Sequence, residues 1–113
     1  MSMVFASKQR IRQSKVFEQA FRNKALINKW FSIHLLESNN NFARLGMVVS
    51  KRTMPKSVYR NFAKRLIREI FRHNSSTLPA LDFVVRIRRN LTKKTAFEAR
   101  AALLQLMLSA KTI

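Results

Sequence analysis

Cysteine is absent from the 113 residues, which excludes disulfides, thiolate metal sites and cysteine nucleophiles. Glycine occurs once, at Gly46, so neither a glycine-rich phosphate loop nor a serine elbow can be built. Acids are nearly as scarce: Glu18, Glu37, Glu69, Asp82 and Glu98 are the whole supply, and no two lie closer than 13 residues. Phosphodiester hydrolysis by a protein on two metal ions needs several carboxylates at one spot, and no local motif of that kind exists. The two histidines, His34 and His73, fall on different elements and give little support to a metal site or a two-histidine nuclease. Long apolar runs are missing too. No stretch approaches the roughly 18 residues of a membrane span, and Met1 to Arg12 lacks the apolar segment of about 7 to 15 residues that a secretory signal carries. The chain is expected to be soluble, cytoplasmic and without a membrane partner. A mitochondrial presequence, also basic and poor in acid, is the weaker reading of the first dozen residues.

What is abundant is positive charge. Lysine and arginine total 23 against five acids, giving a formal charge of +18 and a sequence pI of about 11.9. Such a charge repels itself in a compact state, and the usual compensation is a phosphate backbone whose condensed counterions are released on binding. Nucleic acid is the leading partner. Hydrophobic residues make up 47%, nine of them phenylalanine, enough for a core and too many for a disordered basic tail. One folded domain over residues 1–113 is expected, monomeric, with 1–13 either a loose basic arm or a segment along the domain edge.

Apolar spacing predicts a short helix from Lys15 to Arg22, N-capped by Ser14 and ended by Asn23-Lys24. Trp30 to Leu36 reads as a strand, Ser38-Asn39-Asn40-Asn41 as a turn, and Arg44 to Ser50 as the returning strand of an antiparallel hairpin. Gly46 inside that second strand marks a bulge or a close backbone approach. After the basic, proline-closed connection Lys51 to Lys56 comes the strongest helix, Ser57 to His73. At 100° per residue, Tyr59, Phe62, Ala63, Leu66, Ile67 and Ile70 fill one face, while Arg60, Asn61, Lys64, Arg65, Arg68 and Arg72 fill the other. Phe83 to Ile87 reads as a mostly buried strand running into the basic stretch Arg86 to Arg89. Lys93 to Ala110 reads as a last helix, its apolar positions Phe97, Leu103, Leu104, Met107 and Leu108, with Thr95 and Glu98 spaced for a capping box. The order α-β-β-α-β-α implies one small α/β two-layer domain of the α+β class, helices packed on a central sheet.

Two surfaces stand out. On the helix Ser57 to His73, arginines at 60, 65, 68 and 72 can grip phosphates bidentately, lysine adds point charge, and Asn61 is placed to bond a base edge or a 2′-hydroxyl. A merely solvated face mixes both signs, whereas this one has Glu69 as its lone acid. Separately, Phe17, Phe21, Trp30, Phe31 and His34 offer rings beside a basic arm, the combination that holds single-stranded RNA by stacking. Phe31 is assigned to the core. For Phe17, Phe21 and His34 the sequence leaves cleft and core equally open.

Three segments together resemble the bacterial ribonuclease P protein family. They are Arg44-Leu45-Gly46-Met47-Val48-Val49-Ser50-Lys51-Arg52, then Tyr59-Arg60-Asn61-Phe62-Ala63-Lys64-Arg65-Leu66-Ile67-Arg68-Glu69, then Leu78-Pro79-Ala80-Leu81-Asp82-Phe83-Val84-Val85; Val16-Phe17-Glu18-Gln19-Ala20-Phe21 resembles the family's first helix. The resemblance implies a protein subunit of a ribonucleoprotein endoribonuclease whose RNA subunit performs the Mg2+-dependent cleavage that frees the 5′ end of tRNA. It implies no tightly bound cofactor or catalytic side chain in the protein, and two partners: the catalytic ribonuclease P RNA and the single-stranded 5′ leader of precursor tRNA. Mapped residue by residue, Arg60, Asn61, Lys64, Arg65 and Arg68, with Lys51 and Arg52 before them, are implied to face the catalytic RNA. Phe17, Phe21 and His34 fall where the family places leader-contacting rings. Phe62 stands where relatives carry a further basic residue, and His34 replaces a more usual tyrosine. A left-handed strand-helix-strand crossover is likewise implied by the resemblance, against the general right-handed preference. The alternatives are a structural RNA-binding protein, such as a ribosomal one, and an intrinsic nuclease.

Overall fold

The computed structural model describes residues 10–11, 14–21 and 25–110. In chain order the elements are α1 (Ser14–Phe21), β1 (Ala25–Ile27), β2 (Phe31–Glu37), β3 (Arg44–Val48), α2 (Ser57–Asn74), β4 (Leu81–Ile87) and α3 (Ala96–Ser109), with a 3-10 turn at Ser75–Thr77 after α2. They form a small α+β domain around a four-stranded mixed sheet in the order β1-β2-β4-β3.

The hairpin expected between the second and third strands is not formed. β4 inserts between them, antiparallel to β2 (Leu35 opposite Phe83) and parallel to β3 (Leu45 opposite Phe83). The cause lies in β4 itself: Phe83, Val84 and Val85 are each wholly buried, so the strand needs cover on both faces and both edges, which only a central position gives. A parallel neighbour cannot be reached by a tight turn, and α2 supplies the crossover from β3. Residues 38–43 instead carry the chain from β2 past β4 to β3. Strand β1, unforeseen because three residues carry no readable alternation, pairs with the outer edge of β2 (Ala25 opposite His34, Ile27 opposite Ser32).

Alternation divides the sheet into two faces. Phe31, Ile33, Leu45, Phe83, Val85 and Ile87 meet α2 and α3 in the main core. From α2 come Ala63, Leu66, Ile67, Ile70 and Phe71, all buried, with Tyr59 and Phe62 packed at the margin. Phe71 and Phe83 meet edge to face at 6.1 Å. Each such side chain contributes roughly 1.5 to 3 kcal/mol through burial. On the opposite face Phe17 of α1 packs with Ile11, Val48 and Val84 in a smaller cluster. The sheet thus carries helices on both faces.

The start of the last helix also departs from expectation. Residues 93–95 form a turn and the helix begins at Ala96. The capping box does not form, because the Thr95 hydroxyl is engaged with Thr92, accepting its N–H at 3.1 Å and donating to its carbonyl at 3.2 Å. Glu98 pairs with Lys29 at 3.3 Å instead. The buried positions of α3 are Ala99, Leu103, Leu106 and Met107, while Phe97, Leu104 and Leu108 are exposed. The helix is apolar on more than one side, so of its apolar positions only some, Leu103 and Met107 among them, enter the core.

Helix α1 starts at Ser14, one residue earlier than expected. Of the expected basic arm, the described part runs along the domain edge. Arg10 forms a parallel bridge with Leu45, and the Ile11 N–H donates to the Leu45 carbonyl at 2.8 Å. Ile11 is buried, and the free edge of β3 is partly closed. The expectations for residues 1–9, 12–13 and 22–24 lie outside the described residues.

Candidate nucleic-acid interface

Helix α2 presents its cations opposite the residues that enter the core. Asn61 and Arg65 are exposed and Arg60, Lys64, Arg68 and Arg72 half-buried. Towards its C-terminal half, Arg65, Arg68, Glu69 and Arg72 join Arg10 around a groove of about 240 Å³. Only Glu69 offsets the four arginines there, and it is shared with Arg72 at 3.3 Å. Neither Arg10 nor Arg72 was assigned to an RNA site from the family pattern. Arg72 was legible on the cationic face, whereas Arg10 is brought in by the bridge to Leu45, which no local spacing announces.

The second surface is the sheet face opposite α2 and α3. Pair register aligns Ala25, His34, Val84 and Gly46 in one row and Ile27, Ser32, Arg86 and Val48 in the next, all on this face. A cleft of about 350 Å³ lies over it, lined by Ile27, Ser32, His34, Thr53, Arg86, Ile87 and Arg88. His34 Nε2 lies 3.4 Å from the Ser32 hydroxyl. Across the row, Phe17 of α1 sits over Gly46. His34 and Phe17 therefore share one face of the sheet, with Val84 between their strand positions. Phe21 lies in α1, its side chain outside the described residues. Ser32, Arg86 and Arg88 were not assigned to this surface from sequence. The signal was present in Arg86, a charge at an alternate position of an otherwise apolar strand, but reading it required knowing that β4 pairs with β2.

Lys51 and Arg52 occupy an exposed turn between the two surfaces. The next residue, Thr53, lines the cleft, and α2 begins at Ser57. Trp30 and Phe31 are buried in the main core.

The carboxylates are dispersed. Asp82, nearly inaccessible at 1% exposure, binds Arg44 through two hydrogen bonds, Nε to Oδ1 at 2.7 Å and Nη2 to Oδ2 at 2.6 Å. Those bonds raise the Arg44 pKa above its ordinary value, against the opposing effect of burial. Glu69 and Glu98 are held by Arg72 and Lys29. Among the described residues no three histidine, aspartate or glutamate side chains gather in a way that would hold a metal ion. Nor is any described helix long and apolar enough to cross a membrane.

Comparisons with known proteins agree with this geometry. The family model described as Ribonuclease P matches residues 5–111. The ribonuclease P protein component of Legionella pneumophila (strain Lens) is 38% identical over 92 residues, covering 80% of this chain and 79% of the relative. That of Azoarcus sp. (strain BH72) is 33% identical over 103 residues, covering 90% and 86%. Among solved structures, the RNase P protein from Thermotoga maritima superposes with a TM-score of 0.73 at 32% identity, over 92% of this chain and 96% of that one. A Staphylococcus aureus RNase P protein mutant with defective mRNA degradation activity reaches a TM-score of 0.80 at 25% identity, over 92% and 89%. The chain belongs to the bacterial ribonuclease P protein component family, the protein subunits of the ribonucleoprotein endoribonuclease that processes the 5′ ends of precursor tRNA.

Proposed function

We propose that the chain assists the catalytic RNA of ribonuclease P by holding two RNA segments on opposite sides of one sheet. Asn61, Lys64, Arg65 and Arg68 of α2, with Lys51 and Arg52 on the turn before it, grip the catalytic RNA. The cleft containing His34, with Phe17 of α1 over the same sheet face, receives the single-stranded 5′ leader of precursor tRNA, and the family pattern adds Phe21 to it. The observation that supports this reading is the arrangement of the faces: a cationic helix surface on one side, a cleft with His34, Arg86 and Arg88 on the other, and the turn at residues 51–53 between them.

The physical roles differ accordingly. On α2 the arginine forks match phosphate oxygens and release counterions, giving affinity that falls steeply with salt. In the cleft, rings offer stacking to unpaired bases of any identity, with Arg86 and Arg88 available to the backbone. The Mg2+-dependent bond cleavage belongs to the RNA subunit, and the protein's contribution is to position the substrate and neutralise phosphate repulsion. The chain works as one domain and one copy per catalytic RNA in the cytoplasm. We also read the β3-α2-β4 crossover as left-handed, an exception to the usual rule that fits family membership.

Equilibrium binding with the protein assembled on ribonuclease P RNA tests the reading. A precursor tRNA with a leader should bind tighter than the mature tRNA, and shortening the leader should erase the difference. Equal affinity for both would remove the cleft from the account.

A further inference from the structure

Arg60 is the first residue of the cationic signature, yet its guanidinium turns back onto the segment that leads into its own helix. Nη1 donates to the Met54 carbonyl at 2.9 Å and to the Pro55 carbonyl at 2.8 Å. That nitrogen carries two N–H groups, so both are committed to the protein. The held segment is also fixed from its other end. The Ser50 hydroxyl donates to Thr53 Oγ1 at 3.0 Å and accepts the Thr53 N–H at 3.1 Å, the Met54 N–H donates to the Ser50 carbonyl at 2.9 Å, and the Met54 side chain is wholly buried. Residues 50–55 therefore form one braced unit, anchored in the core by Met54 and tied to α2 by Arg60.

That unit carries the parts of both surfaces that meet. Lys51 and Arg52 are exposed on its turn, and Thr53 lines the cleft over the opposite sheet face. A charged donor satisfied by two carbonyls makes bonds of above-average strength, and breaking them removes the side-chain hydrogen bonds that tie α2 to this segment among the described residues, leaving only the packing of Met54. The cost of losing Arg60 therefore falls on the placement of Lys51, Arg52 and Thr53.

Resting on the two-surface reading above, we infer that Arg60 is a positioning residue. It links the helix that grips the catalytic RNA to the wall of the leader cleft, and it acts through the 50–55 segment more than through a phosphate of its own. The two roles separate in measurable ways. A phosphate contact contributes about 0.7 to 0.9 to the slope of log affinity against log salt, whereas a tie between carbonyls contributes little to that slope. Lysine can replace a point charge but not a planar fork reaching two acceptors.

The experiment compares wild type, Arg60→Met, Arg60→Lys and Lys64→Ala, each assembled with ribonuclease P RNA, and follows backbone amide exchange in the free proteins. Arg60→Met should lower the precursor-to-mature affinity ratio about fivefold or more and speed exchange of the Thr53 and Met54 amides. It should leave the salt slope for the catalytic RNA within about 0.3 of wild type, while Lys64→Ala lowers it by about 0.7 to 0.9. Arg60→Lys keeps the charge and should still show the reduced ratio and faster exchange, so it carries the test if the methionine variant does not fold. A slope lowered by about 0.7 to 0.9 in Arg60→Met with the ratio intact, or full restoration by lysine, overturns the inference. If wild type itself shows no preference for precursor, the leader reading fails, and the exchange rates still decide whether Arg60 braces the segment.

Discussion

Phe17 and Gly46 fit together so closely that a β-carbon on the glycine would lie 2.7 Å from Cζ of the ring and 2.8 Å from Cε1. The chain's one glycine is where α1 comes down on the sheet, and its missing side chain leaves room for the ring over the same sheet face as the cleft. Gly46→Ala should displace Phe17, because the ring is the movable end of a rotatable side chain. The expected stability loss is only about 1 kcal/mol, with the larger effect a several-fold drop in precursor-over-mature affinity. Urea unfolding together with the two binding constants reads both quantities.

Removing the ring directly should act on the same ratio. Phe17→Ala is expected to weaken precursor binding about tenfold, the order of one base stacked on one ring, while mature tRNA binding stays within about twofold. Equal weakening of both would place Phe17 in the small core formed with Ile11, Val48 and Val84 and nowhere else.

The cations of α2 have a different signature. Lys64→Ala and Arg68→Ala should each lower the salt slope for ribonuclease P RNA by about 0.7 to 0.9, and roughly twice that together, with the precursor-to-mature ratio little changed. Titrations across a range of potassium concentrations measure this. A loss of affinity independent of salt would mean that these side chains act by packing.

The Arg44–Asp82 pair ties β3 to β4, since the two residues are register partners on those strands. Asp82→Ala leaves a guanidinium with only about a fifth of its side chain exposed and no counter-charge from that partner, and should cost about 3 kcal/mol in chemical unfolding. Replacing both residues by apolar ones of similar size should recover most of the loss. If the single variant unfolds like wild type, the pair is incidental.

Helix α3 separates burial from spacing. Leu103→Ala, in the core, should cost about 2 to 5 kcal/mol, whereas Phe97→Ser, at 84% exposure, should stay within about 0.5 kcal/mol. Thermal or urea unfolding distinguishes them at once.

How far the sequence could be read follows from the same physics. The bounds of helix α2 and most of its buried face were legible, because apolar and cationic positions separate around it, although wholly buried Phe71 was not among the apolar positions read there. Phe31 as core and the existence of strands β2, β3 and β4 were equally readable from local pattern. Strand order was not: the apolar run Phe83-Val84-Val85 says that β4 is buried on both faces, but not that it enters between β2 and β3. That pairing is a long-range choice made by the crossover through α2. The site inherited the same gap. His34, Lys51, Lys64 and Arg68 could be named from residue type and family pattern, while Ser32, Thr53 and Arg86 became cleft residues only once the register put them beside His34. Arg60 could be placed on the cationic face from angular position alone, and its bonds to Met54 and Pro55 could not.

The central claim is that this protein binds and positions while the RNA subunit cuts. Cleavage of a precursor tRNA at low Mg2+, measured with the protein alone, with ribonuclease P RNA alone and with both, tests it most directly. The account predicts no cutting by the protein alone, slow cutting by the RNA alone, and an increase of at least about tenfold when they are combined, lost on removing the leader or the α2 cations. Metal-dependent cutting by the protein alone, or no enhancement of the RNA, would contradict it.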